Sequence, residues 1–415
     1  MNPAPPALPA DRPSTSAVAG DVLLSVAIGL LLYGASCLWV WPDATAKGFG
    51  IQWEMMSADP FGLVGQLPQR ILAPLLGWSL GCGGAPNYVL FTRSFSVLLL
   101  ATVCFFCRRR GAGVLDATLI AAAVAATSPV QMYKLHWVGY SDPLQYSICF
   151  WMLLAAKRPP LFWGLYLANL LTHELAIFLW PWFWFVRRRQ DSNRRADLVG
   201  SIVAIGLYGA FYQWVKLTAT QQAYHADYFL QHPLFPGGTV VVWSLAITHW
   251  VIASGPILAV LAWHQHRAEH GRERLHFWLV LAGIVVIFCI AFDWSRHSNL
   301  IVIPLVLASL RFLAAGHRLA FVALLALGVG LMERWSPWPT ISWPTYEIVD
   351  PAIHNGVVIL LPDQSFGFGP LSAALQGWLP LVWTRLLAIF GILAAIWTTG
   401  FALAFWRGRA TVATS

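Results

Sequence analysis

Apolar runs of membrane-crossing length recur along the chain, separated by short polar joints. A helix needs about 20 predominantly apolar residues to cross a hydrocarbon core. Residues 21–41, 88–107, 113–131, 142–156, 198–217, 239–263, 277–292, 299–312, 318–333 and 379–405 meet or approach that pattern and predict membrane helices. Residues 70–82 are apolar but too short to cross alone, and residues 161–186 make either one long helix or two short ones folded back. The pattern predicts an all-α polytopic membrane protein with about 10–12 transmembrane or re-entrant helices. A single transmembrane domain over 21–410 follows a Pro/Ala-rich tail, 1–20, expected to be disordered and cytoplasmic. That tail lacks the charged n-region of a signal peptide.

Charge orients the helices. The runs "RRR" at 108–110, "KR" at 157–158, "RRRQDSNRR" at 187–195, "RAEHGRER" at 267–274 and "RGR" at 407–409 belong on the cytoplasmic side. One helix over 161–186 would put its two basic flanks on opposite sides, whereas a hairpin turning near Thr172-His173-Glu174 keeps both inside. The hairpin is the expected form, and it makes the chain N-in and C-in. The outer loops are then 42–87, 132–141, the tip at 172–174, 218–238, 293–298 and 334–378.

Composition narrows the class further. Of 415 residues 58% are hydrophobic and 11% charged, against about 25% charged in a soluble domain. No large soluble domain is left over. The 23 Trp lie often at the ends of apolar runs, as in the aromatic belts of membrane interfaces. Net charge is +8, but the basic residues cluster in short loops, which speaks for topology and not for nucleic-acid binding. Cys104 and Cys107 form a CxxC with no second pair and no nearby His, so they are expected to be apolar helix residues.

Candidate chemistry collects on the outer side. Glu54, Asp59, Arg70, His136, Tyr140, Asp142, His173, Glu174, His225, Asp227, Asp293, Arg296 and His297 come from separate stretches that this topology brings to one face. Ionisable groups at membrane depth are costly and mark function by default. Each also has a plainer role. Asp59 before Pro60 can start a turn, Arg70 can snorkel, Ser141-Asp142-Pro143 can begin a helix, and Asp293 can pair with Arg296 three residues on. Glu174, far from either basic flank of its run, needs a partner or a water-filled cavity, and its neighbour His173 is one candidate. The stretch "CIAFDWSRHSN" at 289–299 reads as one contributor to a composite polar cavity. The loop 334–378 either closes over that cavity or rests on the lipid surface through its Trp residues.

Four stretches resemble the GT-C superfamily of integral membrane glycosyltransferases, specifically its small bacterial members without a soluble domain. They are "WEMMSADPFGLVGQLPQRILAPLL", "GYSDPLQY", "LLTHELAIFLWP" and "DWSRHSNLIVIPLVL". Relatives more often carry Arg where this chain has His173. The resemblance implies a GT-C-like fold in the bacterial cytoplasmic (inner) membrane, active face outward, in cell-envelope glycan synthesis. It implies sugar transfer from a polyprenyl-phosphate donor to an acceptor of unspecified kind. An outer-loop carboxylate would be general base, Asp59 or alternatively Glu54. Arg70 or Arg296 would bind the lipid phosphate, with His136 or His297 as added donors. Asp142 and Glu174 would bind sugar hydroxyls, orient the arginines or hold a divalent cation; metal dependence stays open. Other classes remain: a transporter or flippase for a lipid-linked or small polar solute, a polysaccharide polymerase or ligase, or a membrane scaffold with internally neutralised charges.

Overall fold

The computed structural model describes residues 15–38, 41–64, 67–135, 137–190, 193–219, 261, 264–267, 271–290 and 298–335. Among these the chain is helical and contains no strand. The expected helices at 239–263 and 379–405 and the loop 334–378 lie essentially outside the described residues.

Among the described residues three helices, against about 10–12 membrane segments expected, are long and apolar enough to cross a membrane: α1 (Thr15–Cys37), whose spanning part is Val18–Cys37, α4 (Asn87–Arg109) and α10 (Arg194–Thr218). A fourth span is formed if α5 (Val114–Ala125) and α6 (Ser128–Leu135) act as one, bent by 47°. Shorter elements fill in around them. They are α2 (Phe49–Ala58), α3 (Leu72–Ser79), α7 (Asp142–Leu154), α8 (Pro159–Thr172), α9 (Trp180–Arg188), α11 (Arg272–Ile290), α12 (Val302–Ala314) and α13 (Arg318–Trp335).

Helix α4 is the central post, packed against α1, α5 and α7. Its Leu99, Val103, Cys104, Phe106 and Cys107 are all fully buried, so the two cysteines are free thiols serving as core packing residues. Helices α1 and α10 are peripheral. They turn Leu23, Leu31, Ile202 and Leu207 outward, and apolar faces of that extent suit a lipid environment. Gly29 lets α1 approach α4 closely, since a Cβ there would meet the Ala101 nitrogen and Val97 oxygen at 2.9 Å.

The segment at 161–186 is not one helix. The chain breaks at His173, whose backbone is extended (φ −160°, ψ 116°), and continues as a 3-10 turn, Glu174–Leu179, before α9. It folds back on itself. The rings of Phe162 and Phe183 are 6.1 Å apart, those of Trp163 and Trp184 6.3 Å, and the Arg187 guanidinium donates to the Ala156 carbonyl. The two basic flanks therefore share one end of the bundle. Asp197 locks that end, accepting from Arg187 at 2.7 Å and from Trp163 Nε1 at 3.1 Å. Asp21 at the start of α1 pairs with Arg108 there as well.

Candidate functional site

The end opposite the basic flanks is built from the first long loop, the 134–141 turn and the tip at His173. Helix α2 buries Trp53, Met56 and Ser57, spaced i, i+3 and i+4 along one face. That face lies on the 137–140 turn. Lys47 N donates to the Val138 carbonyl at 3.0 Å, Phe49 N donates to Tyr140 Oη at 2.9 Å, and Trp53 meets the Tyr140 ring edge-on at 4.8 Å. Contact is backbone-close: a Cβ on Gly50 would lie 2.1 Å from the Val138 oxygen. Ser57 Oγ accepts from Gly84 N at 2.8 Å and ties the other end of α2 to the entry of α4.

Arg70 sits just before α3 and is 4% exposed. Its Nε and Nη2 donate to Glu174 Oε2 and Oε1 at 2.7 and 2.5 Å. This is the bidentate fork that makes arginine–carboxylate pairs strong and directional. The partners are 104 residues apart in sequence. The helix break at His173 makes the pairing possible, because it sets Glu174 at the tip of the α8–α9 hairpin. Arg70 also lies over the Trp53 ring, 5.8 Å from its centroid. Its Nη1 is buried and has no hydrogen-bond partner among the described residues, nor has the neighbouring Gln69 Oε1. Tyr208 of α10 is within electrostatic reach of both Glu174 and Arg70, and Tyr212, one turn on, of Glu174.

Glu174, Arg70, Trp53 and Tyr140 thus form one continuous chain of contacts, and Asp142 follows two residues after Tyr140. Asp142 is 2% exposed at the start of α7, where a carboxylate complements the helix dipole. The capping expectation changes in detail: the N-cap Ser141 makes no side-chain capping bond, and Pro143 stands second in the helix. His173 is buried beside Glu174, within ion-pair distance of it, but the two short bonds to the carboxylate come from Arg70. The His173 Nδ1 accepts from Leu175 N at 3.3 Å and lies 3.8 Å from Glu174 Oε2.

The two loop carboxylates differ. Asp59 is exposed and accepts from Gly62 N at 3.2 Å, capping the 3-10 turn Pro60–Gly62. Glu54 is half-buried beside Trp53, and desolvation pushes its pKa above the usual carboxylate value. His136, His225, Asp227, Asp293, Arg296 and His297 lie outside the described residues, and with them the Asp293–Arg296 pairing. Among the described residues no group of three or more His, Cys, Asp or Glu is placed to hold a metal ion.

Trp53 and Tyr208 were not among the sequence candidates. Tyr208 carries a usable signal, a pair of phenols one turn apart in an otherwise apolar helix. Trp53 carries none that separates it from the many interfacial Trp residues. Compared with protein-family models, curated proteins and solved structures, the chain matches none.

Proposed function

We propose that this chain is a GT-C-like membrane glycosyltransferase that moves a sugar from a polyprenyl-phosphate donor to an acceptor at the outer face of the membrane. The observation that carries the reading is Arg70. It is a desolvated guanidinium fixed by two bonds to Glu174, with no acceptor for Nη1 among the described residues. A rigid, always-charged fork with a spare donor suits a phosphate ester. Glu174 neutralises half of the problem, so that Arg70 stays buried without a ligand while retaining capacity for one more acceptor.

In this reading the acceptor hydroxyl attacks the anomeric carbon and the bond from that carbon to the phosphate oxygen breaks. The lipid phosphate leaves with the electron pair, stabilised by Arg70. The hydroxyl proton passes to a carboxylate, and inversion follows from the single displacement. Glu54 suits the base better than Asp59. Its raised pKa brings it closer to the working pH, which favours proton uptake in the transition state, while Asp59 is spent on its turn. Tyr140 and Asp142 then border the sugar side of the site. The α8–α9 hairpin supports an arrangement with the basic ends inside and the 41–86 loop, the 134–141 turn and the His173 tip outside.

Binding tests the phosphate role. A photoreactive polyprenyl phosphate should label the purified chain, and Arg70→Gln should weaken labelling by about tenfold, the loss of one good charged bond. Equal competition by the uncharged polyprenol would refute a phosphate site.

A further inference from the structure

An unsatisfied hydroxyl approaches the Arg70–Glu174 pair from another helix. Tyr208 of α10 is 8% exposed, and its Oη is buried with no hydrogen-bond partner among the described residues. Glu174 and Arg70 are its charged neighbours. A hydroxyl buried in this way is costly, because its bonds to water are lost and nothing replaces them. Phenylalanine would fill the same space without that cost.

An unpartnered phenol is not a site in itself. Tyr166 of α8 has one too, but its ring lies among Trp163 and Phe183, with centroids 5.7 Å from each. Tyr208 differs in its company. Arg70 Nη1 is a second buried donor without an acceptor among the described residues, and the two donors come from separate elements, the first loop and α10. Packing holds those elements together. Phe211 and Val215 follow Tyr208 by three and seven residues, which puts all three on one face of α10. Both pack in one cluster with Leu63 and Ile71 of the first loop and with Leu171 of the hairpin. Ile71 adjoins Arg70, and Leu171 precedes Glu174 by three residues. The helix face that carries Tyr208 is thereby seated against the backbone on both sides of the ion pair.

We propose, on the phosphate reading of Arg70, that Tyr208 binds the same phosphate, its hydroxyl donating to a second phosphoryl oxygen. The ligand is then a phosphate mono- or diester, which has at least two free phosphoryl oxygens, one for Arg70 Nη1 and one for Tyr208. A neutral triester has one. The hydroxyl stays unsatisfied in the empty site because neither Glu174 oxygen takes it: Arg70 holds both.

Labelling of the purified full chain by photoreactive polyprenyl phosphate tests the role, with polyprenyl phosphate and polyprenol as competitors and thermal unfolding in the same detergent as the measure of stability. The variants are Tyr208→Phe, Arg70→Gln and, as a matched loss of an unpartnered hydroxyl elsewhere, Tyr166→Phe. Tyr208→Phe should need about tenfold more polyprenyl phosphate, the loss of one bond to a charged acceptor, and no more polyprenol than the unaltered chain. Without lipid ligand it should unfold at the same temperature or higher, since an unsatisfied hydroxyl is gone. Tyr166→Phe should leave both competitions within about twofold. Unchanged competition in Tyr208→Phe, beside weakened competition in Arg70→Gln, overturns the role of Tyr208 and leaves the phosphate reading standing. A lower unfolding temperature in Tyr208→Phe with equal losses for both competitors also overturns it, because the hydroxyl is then a structural partner. Equal competition by polyprenol in the unaltered chain removes the phosphate reading, and the role of Tyr208 with it.

Discussion

Removing Glu174 should uncover the energetics of the Arg70 site. Glu174→Ala takes away both acceptors of a guanidinium that is 4% exposed, whereas Glu174 itself is 24% exposed. Breaking a fully buried ion pair from one side costs about 3–5 kcal/mol. Water reaching the Glu174 side offsets part of that, so about 2–3 kcal/mol is expected. Arg70→Ala leaves the more solvated partner behind and should cost less, about 1–2 kcal/mol. Arg70→Ala with Glu174→Ala removes both charges together and leaves neither partner buried alone, so the double variant should cost less than the two single losses added. A double-mutant cycle should then show a coupling of at least about 1.5 kcal/mol, roughly tenfold in the unfolding constant. Reversible unfolding in lipid bicelles, followed by tryptophan fluorescence, gives the four free energies. Coupling below about 0.5 kcal/mol, the usual error of additivity, would refute the pairing and with it the docking of the first loop on the hairpin tip.

Three further outcomes follow from the same geometry. Gly50→Ala puts a methyl against the Val138 carbonyl, so α2 must lift; the same unfolding assay should show a loss of about 1–3 kcal/mol, and no loss would mean α2 is not seated there. Ionised Glu54 is disfavoured by burial, so its cost to the fold grows as pH rises past the ordinary carboxylate value; Glu54→Gln should leave neutral-pH stability equal or higher while stopping transfer, and Asp59→Asn should keep transfer, with the reverse pattern exchanging their roles. Asp43 is held down to about 2, first by Lys47 and then by Thr45. Its contribution is therefore complete above the unfolded carboxylate range and lost as pH falls toward about 2; Lys47→Met should move the carboxyl titration upward by NMR, less so in high salt because the pair is partly exposed.

The helical class was legible, because hydrophobic length is a local signal, but of about 10–12 membrane segments expected the described residues give three helices of crossing length, or four if α5 and α6 act as one. Residues 159–188 are the clearest case: charge placement alone favoured a fold-back, and the Ala156–Arg187 and Phe162–Phe183 contacts have that form. The Arg70–Glu174 pair was legible only as two charges in need of partners. Its members are joined by tertiary folding over 104 residues, and no local pattern names a partner at that distance; His173, the nearest candidate in sequence, lies 3.8 Å from the same carboxylate, while Arg70 makes its two short bonds. Asp59 was legible as a turn former from Pro60 alone. The role of Trp53 was hidden by the abundance of Trp, whereas the bend between α5 and α6 falls at Thr127-Ser128-Pro129, a break signal that the apolar length of 113–131 outweighed.

The most direct test of the central claim is a transfer assay. The purified chain in lipid vesicles receives radiolabelled polyprenyl-phosphate sugars and a membrane extract as acceptor, beside Glu54→Gln and Arg70→Ala. Transfer by the unaltered chain, reduced at least about a hundredfold in Glu54→Gln with donor binding intact, and lost in Arg70→Ala with donor binding weakened, is the predicted result. Tight donor binding with no transfer, and label carried across the vesicle wall instead, would contradict a transferase and identify the same polar site as a transport route.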